Sequence, residues 1–360
     1  MTLPVFVADT ALFCARGDTP ELVADALWHG ESCTGERSLG TRKFPFFPLP
    51  PNESDWLKRA ELVVTQVAQQ FTGLPPETPL FIASSSFQIG YFERQGAPFD
   101  LPRPSASFAR HLADWLGLNG PRYSFSNACI SGFSAIDAAR QLIGAGLIDE
   151  AIVLGVELTN DSTLAGFASM ELLSPNRCKP FDARRDGLVL GEAVAAVRLS
   201  AQPGRWRLAG LRTGIDAYSM TGPDPAGGPL ARVMADCLEE AALQPADIEL
   251  IKLQAAGSPG TDLAEANALR QIFGAHPPSL LSLKSAIGHT LGASGIAELA
   301  ALIACLDAER LPATIGFTQI DPEIALSPSL ERNSASIDRT LLNLIGFGGG
   351  LACMILERQR

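Results

Sequence analysis

Apolar positions along this chain follow two periods that alternate from one segment to the next. Pro4-Val5-Phe6-Val7-Ala8 predicts a short strand. From Trp56 to Phe71 the apolar residues Leu57, Ala60, Leu62, Val63 and Val67 fall at helical spacing. Pro79-Leu80-Phe81-Ile82-Ala83 is an unbroken apolar run, as expected of a buried strand, and the small-residue turn Ser84-Ser85-Ser86 follows it. Residues 108–118 read as a helix that Gly120-Pro121 terminates. Arg122 to Ser126 alternates polar and aromatic side chains, the period of a strand. A buried helix follows, marked by Phe133, Ile136, Leu142 and Ile143, and then the doubly buried strand Ala151-Ile152-Val153-Leu154-Gly155-Val156. Strands alternating with helices predict an α/β protein with a mostly parallel sheet.

Polar turn residues at Ser200-Ala201-Gln202-Pro203-Gly204 interrupt the pattern, which then repeats. Residues 206–213 are strand-like, 229–243 helical and 248–253 strand-like, and a long small-residue helix follows Gly292-Ala293-Ser294-Gly295. The last elements are a strand at 341–345, the turn Gly346-Phe347-Gly348-Gly349-Gly350 and a strand at 351–356. Two halves, 1–202 and 203–360, each contain a turn leading into a buried alanine-rich helix, which suggests an internal duplication within one compact unit.

Composition narrows the function classes. The 360 residues are 46% hydrophobic and 19% charged, the profile of a compact globular protein with a large core. A formal net charge of −11 argues against nucleic acid as a partner, because phosphate binding needs a basic surface. The basic clusters Arg37/Arg42/Lys43 and Arg177/Lys179/Arg184/Arg185 read as solvated faces rather than docking sites. No run is long enough to cross a bilayer, and the amino terminus lacks a signal-peptide layout. Seven cysteines (14, 33, 129, 178, 237, 305, 353) lack disulfide or metal spacing, so free thiols in a cytoplasmic protein are expected.

One of these cysteines has a distinctive setting. Ser126-Asn127-Ala128-Cys129-Ile130-Ser131-Gly132 places Cys129 between an extended segment and a helix start. A helix N-terminus offers free N–H groups and a positive partial charge, which lower a thiol pKa. A packed, inert cysteine fits the same position, since free cysteine is commonly buried. A thiolate can accept an acyl group from a thioester, and the resulting oxyanion needs backbone donors. A turn such as Gly346-Phe347-Gly348 can bring N–H groups close to a reacting atom. His289, one of four histidines, lies in a glycine-flanked turn before a helix. Alone, it reads more readily as a helix cap or a partner for buried carbonyls than as a catalytic group.

Four segments stand together: Asn127-Ala128-Cys129; Lys179 to Glu192; Leu283-Lys284-Ser285-Ala286-Ile287-Gly288-His289-Thr290 continuing to Glu298; and Gly346 to Gly350. With Asp216 to Thr221 and Pro223-Asp224-Pro225, they resemble, in order and nearly end to end, the β-ketoacyl synthases of the thiolase superfamily. The resemblance implies a five-layered αβαβα fold and an acyl carrier protein that delivers substrate on its phosphopantetheine, with no other cofactor. It implies Cys129 as the acyl-accepting nucleophile, with the amides of Cys129 and Phe347 as oxyanion hole and the Phe347 ring as a gate. It further implies His289 as donor to the thioester oxygen during malonyl decarboxylation, and Lys284 and Glu298 as supporting residues. No metal or nucleotide is implied, because the glycine turn lacks the Lys-Ser/Thr ending of a phosphate loop.

The pattern departs from the family at one place. Complete members carry a second histidine in a His-Gly-Thr-type loop, and here that run is Leu253-Gln254-Ala255-Ala256-Gly257-Ser258. The histidine position is Ala256, with Asp262 and Glu265 matching the end of the loop. Gln254 and Ser258 are the nearby candidates for a substitute donor. A cysteine kept while a histidine is lost resembles the chain-length-factor partner subunit of type II polyketide and aryl-polyene systems, which forms a heterodimer with a complete ketosynthase. Two other readings stay open: a self-sufficient homodimeric acyltransferase using Cys129 and His289, and a non-catalytic scaffold.

Overall fold

The computed structural model describes residues 3–30, 34–50, 53–95 and 102–359. Its central feature is a ten-stranded sheet. The first half contributes β1 (Phe6–Cys14), β2 (Leu80–Ala83), β3 (Arg122–Phe125), β4 (Glu150–Glu157) and β5 (Ala193–Ser200). The second half contributes β6 (Trp206–Ile215), β7 (Leu250–Lys252), β8 (Ser279–Leu281), β9 (Arg339–Ile345) and β10 (Gly350–Arg358). Their spatial orders are β3-β2-β4-β5-β1 and β8-β7-β9-β10-β6, the same permutation twice. In each half the two pairings nearest the outer edge are parallel and the other two antiparallel. Within the sheet, the two halves pair where Phe6 meets Arg207 and Val7 meets Trp206.

The sheet is thus mixed, not mostly parallel as the alternation of strands and helices suggests. Connection length is one cause: residues 346–349 are too short to carry a chain back for a parallel crossover, so β9–β10 is a turn between antiparallel strands. β5 and β6 are not paired with each other; each runs antiparallel to β1, which lies between them.

Side-chain alternation assigns the layers. Ile152, Leu154 and Val156 of β4 face an outer core with Val63, Val67, Phe108 and Leu112, from helices Trp56–Ala68 and Pro102–Trp115. Ala151 and Val153 face the middle core, built on helices Ser131–Gly144 and Ser294–Asp307. Leu342 and Leu344 of β9 join that middle core, while Leu341 and Ile345 face helices Gly228–Ala241 and Pro259–Phe273. The result is the five-layered αβαβα fold. Helix Ser294–Asp307 is buried at twelve of its fourteen positions, which is why its sequence is apolar all round.

The helix Pro259–Phe273 begins inside a segment whose glycines and proline read as loop. Pro259 in its first turn and the acidic Asp262 are start signals. β7 ends at Lys252, short of the expected residue 253; the Leu253 N–H still donates to the Leu281 carbonyl at 2.8 Å, and the N–H groups after it find carboxylates. Those of Gln254 and Ala255 donate to Glu265, and those of Ala256 and Gly257 donate to Asp262. The six described cysteines are free and buried, and Cys33 lies outside the described residues. No helix among the described residues is long and apolar enough to cross a membrane.

Candidate active site

Cys129 sits where β3 turns into the middle layer. The turn puts Ala128 at φ +45°, a left-handed conformation that a residue with a Cβ rarely adopts. Ser131 locks it: its hydroxyl accepts the Asn127 N–H at 2.8 Å and donates to the Ala128 carbonyl at 2.7 Å. The helix starts at Ser131, two residues past the cysteine. At rest the thiol is not activated as the helix-terminus argument predicts. Burial pushes its pKa up to about 11, outweighing the Phe347 N–H and the Lys284 charge that favour the thiolate. A sulfur held this dry stays protonated at neutral pH until a substrate or partner changes its surroundings.

His289 comes to the same point from the other half. Its N–H donates to the Val189 carbonyl at 2.7 Å and its carbonyl accepts the Gly191 N–H at 3.1 Å, which fixes its backbone. Nε2 lies 3.2 Å from the Cys129 sulfur. Nδ1 accepts the Leu291 N–H at 3.3 Å and lies 3.0 Å from the Ser294 hydroxyl. A backbone amide can only donate, so Nδ1 holds the lone pair and Nε2 the proton. Burial, and then the charge of Lys284, hold the imidazole neutral down to about pH 3. The ring therefore offers a neutral N–H donor toward Cys129.

Behind this pair lies a buried charge cluster. Glu298, on helix Ser294–Asp307, is bound by the ammonium of Lys284 and by that of Lys252 at 2.6 Å. Both lysines are fully buried. Burial alone would raise the Glu298 pKa, but Lys252 and Lys284 together bring it below the usual carboxylate range.

The glycine turn completes the wall. A Cβ on Gly346 would lie 3.2 Å from the Cys129 nitrogen, a tight contact that would push the two turns apart by a few tenths of an ångström. At Gly349, φ is +78° and a Cβ would fall 1.9 Å from the Asp216 carbonyl oxygen. Asp216 holds that turn from outside: its N–H donates to the Gly349 carbonyl at 2.7 Å, while its carboxylate caps Tyr218 and Asp224. The N–H groups of Phe347 and of Cys129 itself face the sulfur. The Phe347 ring stacks on Phe167 at 5.2 Å.

The structure thus brings Cys129, His289 and Phe347 together, with Lys284 and Glu298 behind His289. At position 256 it places no polar side chain. Ala256 is buried in an apolar cluster with Phe46, Leu190 and Leu291, and Phe347 packs at its edge. The slot between Phe46, Leu164, Leu190 and Leu291 is closed to a cavity of about 20 Å³. A much larger groove, about 700 Å³ beside Asp137, Arg140 and Glu240, includes none of the site residues. Gln254 is buried with its Oε1 unpartnered among the described residues, and Ser258 precedes helix Pro259–Phe273 without capping it. Among the described residues no cluster of metal-ligating side chains occurs.

The stretch from Phe181 to Glu192 is architectural. Asp182 accepts the N–H groups of Arg184 and Gln319 and the Thr318 hydroxyl, whereas Arg185 pairs with Asp321. Members of both basic clusters are paired as well, Lys179 with Asp186 in one and Arg37 with Asp161 in the other.

Residues 63–202 match the model of the β-ketoacyl synthase N-terminal domain, and residues 207–318 that of the C-terminal domain. A 3-oxoacyl-(acyl-carrier-protein) synthase 2 of Coxiella burnetii is 30% identical over 285 residues, covering 74% of this chain and 69% of that protein. The chain belongs to the β-ketoacyl synthase family. This is a family of condensing acyltransferases of fatty acid and polyketide synthesis. The Mycobacterium tuberculosis 3-oxoacyl-(acyl-carrier-protein) synthase 2 is 33% identical over 240 residues, 62% of this chain, and the match spans 58% of that relative's length. Among solved structures, the complex of a ketosynthase with its chain length factor from Xenorhabdus doucetiae matches with a TM-score of 0.84 and 26% identity. That match covers 99% of this chain and 98% of the other.

Three features of the site escape a reading of the sequence. Lys252 carries a signal that could have found it, a lone charge inside the apolar strand run Ile248 to Leu253. Ser294 and the Leu291 N–H, which set the His289 tautomer, carry none. Glu157 accepts the N–H groups of Ser85, Ser86 and Gly292, clamping the turn after β2 to the one after His289.

Proposed function

We propose that this chain takes an acyl group from an acyl carrier protein thioester onto Cys129 and serves, in the cytoplasm, as the chain-length-factor-like partner of a complete ketosynthase. The observation that carries the reading is an asymmetry. The Cys129–His289 contact at 3.2 Å is intact, while position 256 is an alanine in an apolar cluster. In the transfer, the Cys129 sulfur attacks the thioester carbonyl carbon. The Phe347 and Cys129 amides and the His289 Nε2–H are the donors available to the oxyanion. The carrier sulfur then leaves and ends with the proton that Cys129 gave up. Only the phosphopantetheine of the carrier is required, with no metal or further cofactor.

Decarboxylation of a malonyl unit develops an enolate, and loss of one donor to such an anion commonly costs about two to three orders of magnitude in rate. That assigns condensation to the partner's site and leaves Cys129 to accept and hold the chain. The second reading, a self-sufficient homodimeric acyltransferase, draws its support from the retained Lys284–Glu298 pair beside the cysteine and histidine. Co-expression with a ketosynthase paralogue, then intact-mass analysis after exposure to acyl carrier thioester, tests both. A stable heterodimer with an acyl adduct at Cys129 is expected. A homodimer that decarboxylates malonyl carrier on its own overturns the partner role, and a heterodimer without an adduct at Cys129 overturns the acyl transfer.

A further inference from the structure

Two short strands outside the central sheet hold a phenylalanine close to His289. The strand Arg42–Phe47 pairs with Leu190–Gly191, with Phe46 opposite Leu190 and Phe47 opposite Gly191. On its other side this stretch meets His289, whose N–H and carbonyl bond to Val189 and Gly191. Phe46 therefore stands one strand away from the histidine, buried in one apolar cluster with Leu164, Leu190 and Leu291. That cluster reaches the reacting pair directly. The Leu291 N–H lies 3.3 Å from His289 Nδ1, and Nε2 of the same ring lies 3.2 Å from the Cys129 sulfur. Phe347 closes the cluster by stacking on Phe167. The slot left among these side chains, about 20 Å³, has room for about one water-sized group. Beyond Phe46 the protein opens again. A groove of about 460 Å³ along Pro48, Leu49 and Arg94 shares Phe46 and Thr159 with the slot. Phe46 thus separates a nearly filled slot beside Cys129 from an open groove. Close-packed side chains give way only at a cost, so a long chain meets a wall here.

We propose that Phe46 and Leu164 determine the size of the acyl group that Cys129 accepts. They limit it to a short alkyl acyl group of roughly two to four carbons, the first of which sits at the sulfur and the rest in a slot of water-sized volume. Leu164 fills the slot itself, and Phe46 plugs its way into the outer groove. The inference rests on the acyl-transfer reading and narrows its substrate class. The transfer is the same for every length: the bond from the Cys129 sulfur to the acyl carbon forms and the carrier's carbon–sulfur bond breaks. The thiol proton ends on the carrier sulfur.

The test is acylation of Cys129 in the full chain by acetyl, butyryl and octanoyl carrier thioesters, read by peptide mass spectrometry. The wild-type chain is expected to take acetyl and butyryl, and octanoyl at least about a hundredfold more slowly, since each misfitting methylene in an apolar pocket commonly counts about tenfold or more. Leu164→Ala and Phe46→Ala are each expected to raise the octanoyl-to-acetyl ratio at least about tenfold. Phe46→Ala gives the larger gain, because it joins the slot to the groove. Where either variant folds poorly, Leu164→Val and Phe46→Leu make smaller cuts and shift the ratio the same way. A wild-type chain that takes octanoyl as fast as acetyl overturns the size limit. An unchanged ratio in the folded variants overturns the assignment to Phe46 and Leu164. Alkylation of Cys129 by iodoacetamide and by its N-octyl analogue reads the slot without any acyl transfer. If no thioester acylates Cys129, the acyl-transfer reading fails. The size limit then stands or falls on whether the octyl reagent is the slower one and the two alanine variants narrow the difference.

Discussion

The Nε2 of His289 lies 3.2 Å from the sulfur of Cys129, and the Leu291 N–H, at 3.3 Å from Nδ1, fixes the proton on the nitrogen that faces the sulfur. A histidine in this tautomer donates and cannot take the thiol proton at Nε2. His289→Gln, whose side chain can present an N–H near the same place, should therefore keep most of the acylation rate at Cys129. His289→Ala should lose about two to three orders of magnitude. Single-turnover acylation measured by mass spectrometry checks this, and equal loss in the two variants would mark His289 as a base.

The same burial gives His289 a signature in stability. The unfolded imidazole takes a proton near pH 6.5, whereas burial and the Lys284 charge keep the folded one neutral to about pH 3. Between these values the unfolded chain binds more protons, so stability rises with pH through the window. It is lost progressively on acidification below about pH 6.5. Urea unfolding at pH 7 and at about pH 4.5 should show a larger loss for the wild-type chain than for His289→Gln. An equal loss would mean that the imidazole protonates in the folded state.

What the sequence revealed and what it hid follow from range. Strands such as Ala151 to Val156 were legible because burial on both faces leaves a continuous apolar run. The cysteine turn and the glycine turn were legible because their backbone demands restrict residue type locally. The sign of the thiol's pKa shift was not, because it is set by burial under distant parts of the chain, which outweighs the Phe347 N–H and the Lys284 charge that favour the thiolate. Lys252 was hidden for the same reason: its partner lies 46 residues away on another layer. The Asp262 and Glu265 carboxylates looked like part of a loop motif, but their role is to take the N–H groups that β7 leaves unpaired.

Restoring the histidine at position 256 should cost stability. Ala256 is 3% exposed and packed with Phe46, Leu190 and Leu291. An imidazole there must displace apolar neighbours and bury polar nitrogens among them. Ala256→His should lower unfolding free energy by roughly 1–3 kcal/mol, the usual range for overpacking a filled core. Urea denaturation reads this directly, and an unchanged midpoint would mean that the slot opens readily.

Glu298 should be the least replaceable residue of the site for stability. It is 1% exposed and its two oxygens hold Lys252 and Lys284, neither of which has exposed surface. Glu298→Ala leaves two buried ammonium groups without the carboxylate they share and repelling each other, with only the more distant Glu265 charge acting on Lys252. Removing one partner from a buried pair typically costs about 3–5 kcal/mol, because the remaining charge keeps its desolvation penalty. Adding Lys252→Met to Glu298→Ala removes one of the stranded charges and the repulsion with it. The double variant should therefore unfold at higher urea concentration than Glu298→Ala alone, a non-additive rescue expected of residues in direct contact. If the second substitution instead lowers stability further, the two lysines do not share Glu298 in solution.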